Sequence, residues 1–482
     1  MGLNERGILK NIDWTLVLVY FVLVFIGWIN IYASVHSSEP SSIFDFSCRS
    51  GKQFVWMLTG FGLAALILFV FNPRLYETLS LPIYLCTIVL LIAVIFLGTE
   101  VKGSRSWFEF GPVRFQPAEI SKIATSIFLA KIMSQFGYSI RRTKDFVATA
   151  AVIAIPMLII IAQSETGSAL VYVGFIFMLY REGLSGWILF MTGMAILLFI
   201  LTLTSSPYAA IAVLCWSASV CNALYTGSFR HWSRTYLPAL AALSVLPLAM
   251  QKASEWFEPI GSIDPIYILI GTIVLALPFI IFFAYRRQKS TFTYLAAASV
   301  VIGILFIFSA DFIFNDVLQD HQRKRIEVLL GMKDDPAGVG YNVRQSMIAI
   351  GSGGLTGKGF LHGTQTTYGF VPEQSTDFIF CTIGEEWGFL GSAAVILLYA
   401  FLIWRIVFRA EQSREAFTRI YGYCTACCIF MHLFINIGMT LGIMPVIGIP
   451  LPFVSYGGSS LWAFTVLLFI FIALDCNERR HF

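Results

Sequence analysis

Charged residues are scarce in this sequence. Asp, Glu, Lys and Arg make up 12% of its 482 residues, against 57% hydrophobic residues, whereas a soluble globular domain carries about 25% charged residues. This scarcity excludes a soluble globular protein. The apolar runs are about 17–25 residues long and do not alternate with polar residues, which is typical of membrane-spanning helices.

The sequence also lacks a block of Lys or Arg and a platform of stacked aromatic residues, and its net charge is only +4. Nucleic-acid-binding domains carry a concentrated basic patch, so no nucleic-acid partner is expected. The first apolar run, 14–33, is too long for a signal-peptide core and has no small-residue cleavage site behind it. No cleavable signal peptide is therefore expected.

The nine cysteines do not form a disulfide framework. Only Cys48 falls in a predicted outer loop, while Cys424, Cys427 and Cys428 belong to an apolar segment. No histidine has the spacing that would complete a zinc site. These cysteines are therefore interpreted as small packing residues.

Long apolar runs dominate the rest of the chain and predict an all-α polytopic membrane protein, with residues 1–482 as a single membrane domain. About fourteen spans are predicted, near 14–34, 54–71, 82–98, 118–133, 146–162, 167–181, 187–204, 208–224, 235–250, 266–285, 293–314, 377–404, 417–440 and 457–475.

The Lys and Arg residues of the short loops define an orientation. With the N-terminus inside, the inner loops hold almost all of them, and the short outer loops hold only Arg49, Lys52 and Lys252. Positive residues favour the cytoplasmic side. Because the bias persists to the C-terminus, an even number of spans and cytoplasmic N- and C-termini are predicted.

Two longer segments then lie outside: an outer loop at 99–117 and a large loop at 315–376. The second contains a glycine-rich stretch, "GSGGLTGKG" at 351–359, with polar residues between the glycines. A long polar loop between helices is commonly functional. We interpret this one as a shaped surface on the outer side of the membrane.

Ionisable and polar residues from separate segments gather near this outer interface. Since such groups are costly within a membrane, they are functional candidates. Structural alternatives remain for each: Glu119 and Lys122 share a helical face as an ion pair, Asp377 begins a helix, and Glu385 and Glu386 join helices by hydrogen bonds.

The spacing of the acids argues against hydrolysis by a pair of carboxylates. Asp377 and Glu385 would lie about 12 Å apart along a helix, whereas glycosidase pairs lie roughly 5–9.5 Å apart. Glu386 would point to the opposite face. One acid beside a cation and helix N-termini suits a single proton transfer next to an anionic leaving group.

Five ordered motifs resemble the shape, elongation, division and sporulation (SEDS) family, which includes the RodA, FtsW and SpoVE proteins. They are "QPAEISK", "AIGSGGLTGKGFLHGTQ", "VPEQSTDFIF", "GEEWGFLG" and "NIGMTLGIMPVIGIPLPFVSYGGSS". The segments "HQRKRI", "DDPAGVGYNVRQS" and "GTQ" resemble the RodA branch more than the FtsW branch.

The resemblance implies a bacterial inner-membrane peptidoglycan glycosyltransferase. Such an enzyme polymerises lipid II during cell elongation, with inversion at the anomeric carbon. The implied partners are lipid II, a class B penicillin-binding protein transpeptidase and other membrane proteins of the elongation complex. The implied fold is a bundle of ten core helices, to which the region 185–315 adds about four inserted spans of unknown role.

The family's essential aspartate falls on Asp377, as the base or as the group that positions the acceptor hydroxyl. Arg105 and Lys122 are candidates for contacting the diphosphate, with Glu119 orienting Lys122. The complete set of substrate-binding candidates is Arg105, Glu119, Lys122, Glu165, Gln345, Ser346, Lys358, Gln365, Glu373, Asn436 and Ser455.

Glu165 marks a departure from the family, whose motif has aspartate there. A divalent cation, Mg²⁺ or Mn²⁺, held by Asp377 or Glu165 is left open, since no ligand set is readable. Two other function classes are left open as well. Acids within helices and Pro/Gly breaks also suit a flippase or transporter of lipid-linked precursors, and a non-catalytic scaffold for cell-wall assembly would not need Asp377.

Overall fold

The computed structural model of the protein describes residues 9–35, 42–101, 104–110, 113–227, 265–286, 291–318, 320–330 and 339–481, together with residues 237, 240, 241, 244, 245 and 332. Its elements are α1 (Trp14–Val35), α2 (Arg49–Phe69), α3 (Arg74–Thr78), α4 (Ser80–Leu97), β1 (Thr99–Val101), β2 (Ser104–Phe110), β3 (Val113–Phe115), α5 (Pro117–Met133), α6 (Thr143–Ala162), α7 (Thr166–Val173), α8 (Phe175–Arg181), α9 (Gly186–Thr204), α10 (Pro207–Thr226), α11 (Pro265–Arg286), α12 (Thr291–Phe312), a π-helical turn (Ile313–Val317), α13 (Asp320–Leu329), α14 (Val339–Ser352), α15 (Thr364–Thr367), α16 (Ile379–Gln412), α17 (Ala416–Thr440) and α18 (Gly458–His481).

The prediction of an all-α polytopic membrane protein is confirmed. Ten helices in the described ranges are long and apolar enough to cross a membrane. Every predicted span coincides with a helix or with the pair α7–α8, except the span at 235–250, which lies largely outside the described residues.

Local signals in the sequence explain several helix ends. Pro117 opens α5, where its missing N–H has no partner to lose. Ser206 caps α10 by accepting a hydrogen bond from the Ala209 amide at 3.2 Å, and Gly227 ends this helix in a left-handed conformation.

The helices form two compact units. Unit 1 comprises Met1–Ser185 and Asp335–Phe482, and unit 2 comprises Gly186–Asp334. In unit 1 the central helices are α1, α5, α17 and α18, whose inward side chains, such as Leu23, Ile127, Tyr421 and Phe471, are buried in one large core. The prediction of a single membrane domain over 1–482 stays a prediction.

Unit 2 has its own smaller core, formed by α9 to α12. Its buried residues include Leu198, Ile211, Leu214, Leu269 and Ile307. Among the polar contacts of its described residues, one joins Thr293 Oγ1 to Asn222 Oδ1 at 3.2 Å. That this region adds about four spans to ten core helices stays a prediction.

Unit 1 has two ends that differ in their residues. We call upper end the one formed by the described residues of 99–115, 353–378 and 441–457 with the helix residues packed against them, and lower end the one formed by Asp13, residues 134–142 and 413–415, and Arg479 with the helix residues packed against them. The upper-end parts contact one another: Ser455 Oγ donates to Thr376 O at 2.6 Å, and Ser106 Oγ donates to Glu165 at the start of α7.

The two predicted outer loops contain regular structure. The described residues of 99–115 form a three-stranded antiparallel sheet in the order β1-β2-β3, and the described part of 315–376 contains α13, α14 and α15. The glycine-rich stretch after α14 lies against a kink in α16. Gly388 has φ of 64° at this kink, and the amides and carbonyls around Gly357 and Gly388 approach so closely that neither position has room for a Cβ.

Candidate active site at the upper end of unit 1

Asp377 lies in the turn that precedes α16 and is half-buried. The sequence predicted that it begins the helix, but the helix starts at Ile379, with Phe378 as its N-cap residue. Asp377 is therefore one residue outside the cap, so the helix N-terminus acts on its carboxylate less directly than expected, because that effect fades beyond the first turn.

The backbone of this turn is clamped by the end of α17 and the loop that follows it. Three consecutive carbonyls accept hydrogen bonds: Asp377 O from Asn436 Nδ2 at 2.8 Å, Thr376 O from Ser455 Oγ at 2.6 Å, and Ser375 O from the Tyr456 amide at 2.8 Å. Since each bond fixes one peptide unit, the position of Asp377 is defined by its main chain. The predicted candidates Asn436 and Ser455 thus act on the backbone beside Asp377.

Gly448 lies directly against the Asp377 carboxylate. Its φ is +77°, and a Cβ built on it would stand 3.3 Å from Asp377 Oδ2. Glycine adopts this backbone region without strain, whereas other residues do not. The loop after α17 therefore presents bare backbone to the acid.

A second group of polar residues is buried between α5 and α17. Lys122 Nζ lies 2.8 Å from Glu119 Oε1 and 2.7 Å from His432 Nε2, and all three residues are at most 3% exposed. The predicted i, i+3 pairing of Glu119 and Lys122 is confirmed. Sequence reasoning missed His432, although a histidine four residues before Asn436 on an apolar helix was a visible signal.

The burial of Lys122 bears on its predicted contact with a diphosphate. Its ammonium group is enclosed by Glu119, His432 and the ring of Phe464, whose centroid lies 5.3 Å away. A direct contact stays a prediction and requires this cluster to open.

Arg105 and Glu165 lie at the sheet, and their surroundings differ. The Arg105 side chain is 59% exposed and pairs with Glu100 at 3.4 Å. Glu165 accepts hydrogen bonds from Ser106 Oγ at 3.0 Å and Gln116 Nε2 at 3.2 Å. The contact of the exposed Arg105 with a diphosphate stays a prediction, whereas Glu165 joins β2 to the start of α5.

Lys358 and Gln365 belong to a third group, centred on Glu385. This buried carboxylate accepts from Lys358 Nζ at 2.7 Å and from the amides of Gln365 and Thr366, both at 2.9 Å. Glu386 accepts from the Leu361 amide at 3.2 Å. The structural interpretation of Glu385 and Glu386 is confirmed, since both bind the segment 357–366 to α16.

The remaining candidates are dispersed. Ser346 Oγ donates to Thr440 O at 3.0 Å and is buried, so it joins α14 to α17. Glu373 has φ of 52° and accepts from Thr376 Oγ1 at 3.3 Å. Gln345 lies on α14 and is half-exposed. Within the ranges that the structure covers, no cluster of three or more His, Cys, Asp or Glu residues is arranged as a metal site, and a cation at Asp377 or Glu165 stays a prediction.

Sequence comparison places the chain in a family. The family model FTSW_RODA_SPOVE, described as "Cell cycle protein", matches residues 13–250 and 266–480. The chain belongs to the FtsW, RodA and SpoVE family. Members similar to it include "Peptidoglycan glycosyltransferase RodA" of Treponema pallidum, 28% identical over 98% of this chain and 99% of the relative. Another is "Peptidoglycan glycosyltransferase MrdB" of Escherichia coli K12, 32% identical over 81% of this chain and 75% of the relative.

Solved structures of the family share the fold. A chain from "Structural coordination of polymerization and crosslinking by a peptidoglycan synthase complex" superposes with a TM-score of 0.59 at 22% identity, over 97% of this chain and 98% of that one. The crystal structure of Thermus thermophilus RodA gives a TM-score of 0.54 at 21% identity, over 97% of both chains. The FtsW, RodA and SpoVE fold thus extends over nearly the whole chain, which is a multi-pass membrane protein.

Proposed function

We propose that this protein is a peptidoglycan glycosyltransferase that polymerises lipid II during cell elongation. Membership of the family and the glycosyltransferase names of its relatives support the activity. The observation in the structure that carries the proposal is the clamped, half-buried Asp377, whose carboxylate lies against bare backbone at Gly448.

The reaction joins an acceptor hydroxyl oxygen to the anomeric carbon of the donor and breaks the bond from that carbon to the polyprenyl diphosphate. Asp377 accepts the hydroxyl proton or orients the hydroxyl, and the bonding electrons leave with the diphosphate. The three hydrogen bonds on the backbone of residues 375–377 hold the carboxylate in place before substrate arrives. Such preorganisation lowers the entropic cost of reaching the transition state.

Negative charge grows on the departing diphosphate, and a cation near it stabilises the transition state. Arg105 is suited to this role because its present partner, Glu100, is itself 58% exposed and 3.4 Å away. A diphosphate can displace such a weak surface pair. Lys122 would act only after its buried cluster opens, and a divalent cation remains part of the proposal.

The transporter alternative is weakened by the contacts of Glu385 and Glu386. These are the acids within the apolar part of α16, and a proton-coupled transporter needs ionisable groups of this kind free to exchange protons. Glu385 instead holds Lys358 and two amides. No observation in the described residues favours the scaffold alternative.

We further propose that the protein resides in the bacterial inner membrane with cytoplasmic N- and C-termini, and that it works with a class B penicillin-binding protein and other elongation-complex membrane proteins. The short-loop charge bias supports the orientation. The structure that shares its fold comes from a complex that, by its title, coordinates polymerisation and crosslinking.

Polymerisation by purified protein tests the activity. Full-length protein is incubated with lipid II and its transpeptidase partner, whose crosslinking is blocked, and glycan products are resolved by size. Asp377→Asn should fold and bind lipid II but polymerise about 10²-fold more slowly or worse, since an amide cannot accept the proton.

Asp45→Asn is the matched control, because Asp45 is an exposed acid in the turn before α2. The amide and hydroxyl of Ser47 hold the pKa of Asp45 below its usual value, yet it contacts no candidate residue, and its variant should polymerise at the wild-type rate. Near wild-type polymerisation by Asp377→Asn would instead support the transporter or scaffold alternative.

A further inference from the structure

His432 is buried within α17 and makes two hydrogen bonds that together define its tautomer. Its Nδ1 lies 3.1 Å from Pro450 O, and its Nε2 lies 2.7 Å from Lys122 Nζ. A carbonyl oxygen only accepts, so Nδ1 carries the proton. The Nε2 lone pair then accepts from the lysine, because a doubly protonated ring would present a donor to an ammonium group.

Lys122 therefore stabilises the neutral tautomer of His432 that carries its proton on Nδ1. Glu119, the second partner of Lys122, in turn stabilises the lysine. Glu119 Oε1 lies 2.8 Å from the ammonium group, so Lys122 Nζ donates to the carboxylate as well as to the imidazole. Lys122 is 2% exposed, so water does not compete for this arrangement. The result is a histidine that offers a fixed Nδ1–H to the loop after α17.

The hydrogen bond from His432 holds Pro450, in the loop segment that borders Asp377. Pro450 has no N–H, so its carbonyl is the only backbone group through which it can be held by hydrogen bonding. The preceding carbonyl, Ile449 O, accepts from Asn436 Nδ2 at 2.7 Å. His432 and Asn436 lie four residues, or about one turn, apart on one face of α17. Their side chains therefore hold two consecutive carbonyls, those of Pro450 and Ile449.

This double attachment holds the loop segment 448–450 at two consecutive carbonyls. Asn436 also donates to Asp377 O at 2.8 Å, and Gly448, one residue before Ile449, lies against the Asp377 carboxylate. Beyond Pro450 the chain is held again, because the Leu451 amide donates to Ser455 Oγ at 2.8 Å. The bond from His432 to Pro450 is thus the link between the Asn436 attachment and this downstream one, and it helps to keep Gly448 beside the acid.

We propose that His432 is a positioning residue for Asp377: its Nδ1–H anchors the loop segment 448–450 that borders the carboxylate, and Lys122 maintains the tautomer that makes this donor available. The inference rests on the proposed function, since Asp377 is taken as the group that activates or orients the acceptor. His432 itself touches no substrate.

Two substitutions separate the two hydrogen bonds of His432. In His432→Asn the amide nitrogen takes the place of Nδ1 and keeps the bond to Pro450 O. In His432→Gln the amide oxygen takes the place of Nε2 and keeps the acceptor for Lys122, but the bond to Pro450 is lost. Both variants replace the same buried ring by an amide side chain. Each therefore controls for the loss of ring packing in the other.

The experiment measures glycan synthesis by the full-length protein against lipid II concentration, with rates expressed per folded molecule from size-exclusion chromatography. We expect His432→Gln to lower kcat about tenfold with KM unchanged, since misplacing a catalytic group affects the transition state and not substrate binding. His432→Asn should retain kcat within about threefold of wild type.

A merely structural role would lower the yield of folded protein and leave kcat per folded molecule unchanged in both variants, and that result would overturn the inference. Equal losses in the two variants, or a larger loss in His432→Asn, would overturn it too, because the bond to Pro450 would not be the one that matters. Failure of the wild-type protein to polymerise lipid II would refute the proposed function itself.

Discussion

The two ends of unit 1 hold buried acids in different ways. At the lower end, Asp13 Oδ2 lies 2.8 Å from Arg405 and 3.6 Å from Arg409, and Asp475 lies 2.8 Å from Arg409 and 2.9 Å from Arg479. At the upper end, Glu119 Oε2, Glu386 Oε2 and Asn436 Oδ1 are buried without a hydrogen-bond partner.

This difference separates stability from function. Shared arginines at the lower end neutralise each carboxylate, so these acids hold α1, α16 and α18 together. Buried polar atoms without partners are uncommon in native proteins and call for an explanation. Such atoms occur at the lower end too, where Arg479 Nε has no partner, so the difference between the ends lies in the acids. Glu119 and Glu386 each leave one oxygen without a partner, and they belong to the end that holds the clamped Asp377, which is why we attribute this difference to function.

The largest effect on stability should come from the lower end. Asp13→Asn removes a charge shared by Arg405, Arg409 and Arg479, and breaking a buried ion pair costs about 3–5 kcal/mol. The midpoint of thermal unfolding in detergent should fall, while polymerisation per folded molecule stays at the wild-type level. Asp377→Asn should do the reverse, and similar behaviour of the two variants would end the distinction between the ends.

Within the upper end, Glu385 and Glu386 test whether buried acids other than Asp377 serve stability and not turnover. Glu385→Gln weakens the pair with Lys358, and because the amide has only one oxygen it leaves one of the two amides, Gln365 or Thr366, without its acceptor. The free energy of unfolding should therefore fall by about 1–3 kcal/mol. Glu386→Gln keeps an oxygen for the Leu361 amide and should leave turnover within about tenfold of wild type. Total loss of turnover in both folded variants would contradict the structural role.

Gly448 tests the border of the Asp377 carboxylate. Gly448→Ala forces alanine into a left-handed conformation, at a cost of about 1–2 kcal/mol, and places a methyl group 3.3 Å from Asp377 Oδ2. Turnover in the lipid II assay should fall about tenfold.

Gly442→Ala is the matched control for this substitution. Gly442 lies in the same loop with φ of +71°, but its added methyl group would meet Met347 and Val343. The strain is similar, so the two variants should melt alike, and only Gly448→Ala should lose turnover. Equal turnover in both would show that the contact with Asp377 is immaterial.

The orientation of the two ends is tested by cysteine labelling, with two surface variants that should leave stability and activity unchanged. Tyr368→Cys, on an exposed turn of the upper end, should react with an impermeant thiol reagent in intact spheroplasts, and Phe136→Cys, on an exposed turn of the lower end, should not. Cys48, Cys86 and Cys221 are replaced by serine beforehand, since these thiols form no disulfide and are at least partly exposed. The opposite labelling pattern would reverse the proposed topology.

The sequence predicted the membrane helices well because a span needs about twenty apolar residues, and that requirement is visible in one dimension. It did not predict α14, whose residues 339–352 are too short and too polar for a span, nor the strands of 99–115, of which two have three residues each. Such elements are stabilised by neighbours that only the folded chain provides.

For the candidate residues, too, the sequence predicted local features but not contacts between distant segments. Motifs selected Asp377 and the pair Glu119–Lys122, and spacing alone predicted that the pair shares a face. The partnership of Lys122 with His432 could not be predicted, because it joins helices distant in sequence. The same holds for Glu385, whose partners Lys358, Gln365 and Thr366 become neighbours only when the glycines at 357 and 388 let two backbones approach.

The 310 residues between Lys122 and His432 also matter for the synthesis of the protein. At roughly 5–20 residues per second, α5 leaves the ribosome about 15–60 s before α17 does. During this interval Glu119 and Lys122 have only each other, within a helix that is already due to enter the membrane. The pair is therefore made long before His432, and its final partner arrives only after all of unit 2 has been translated.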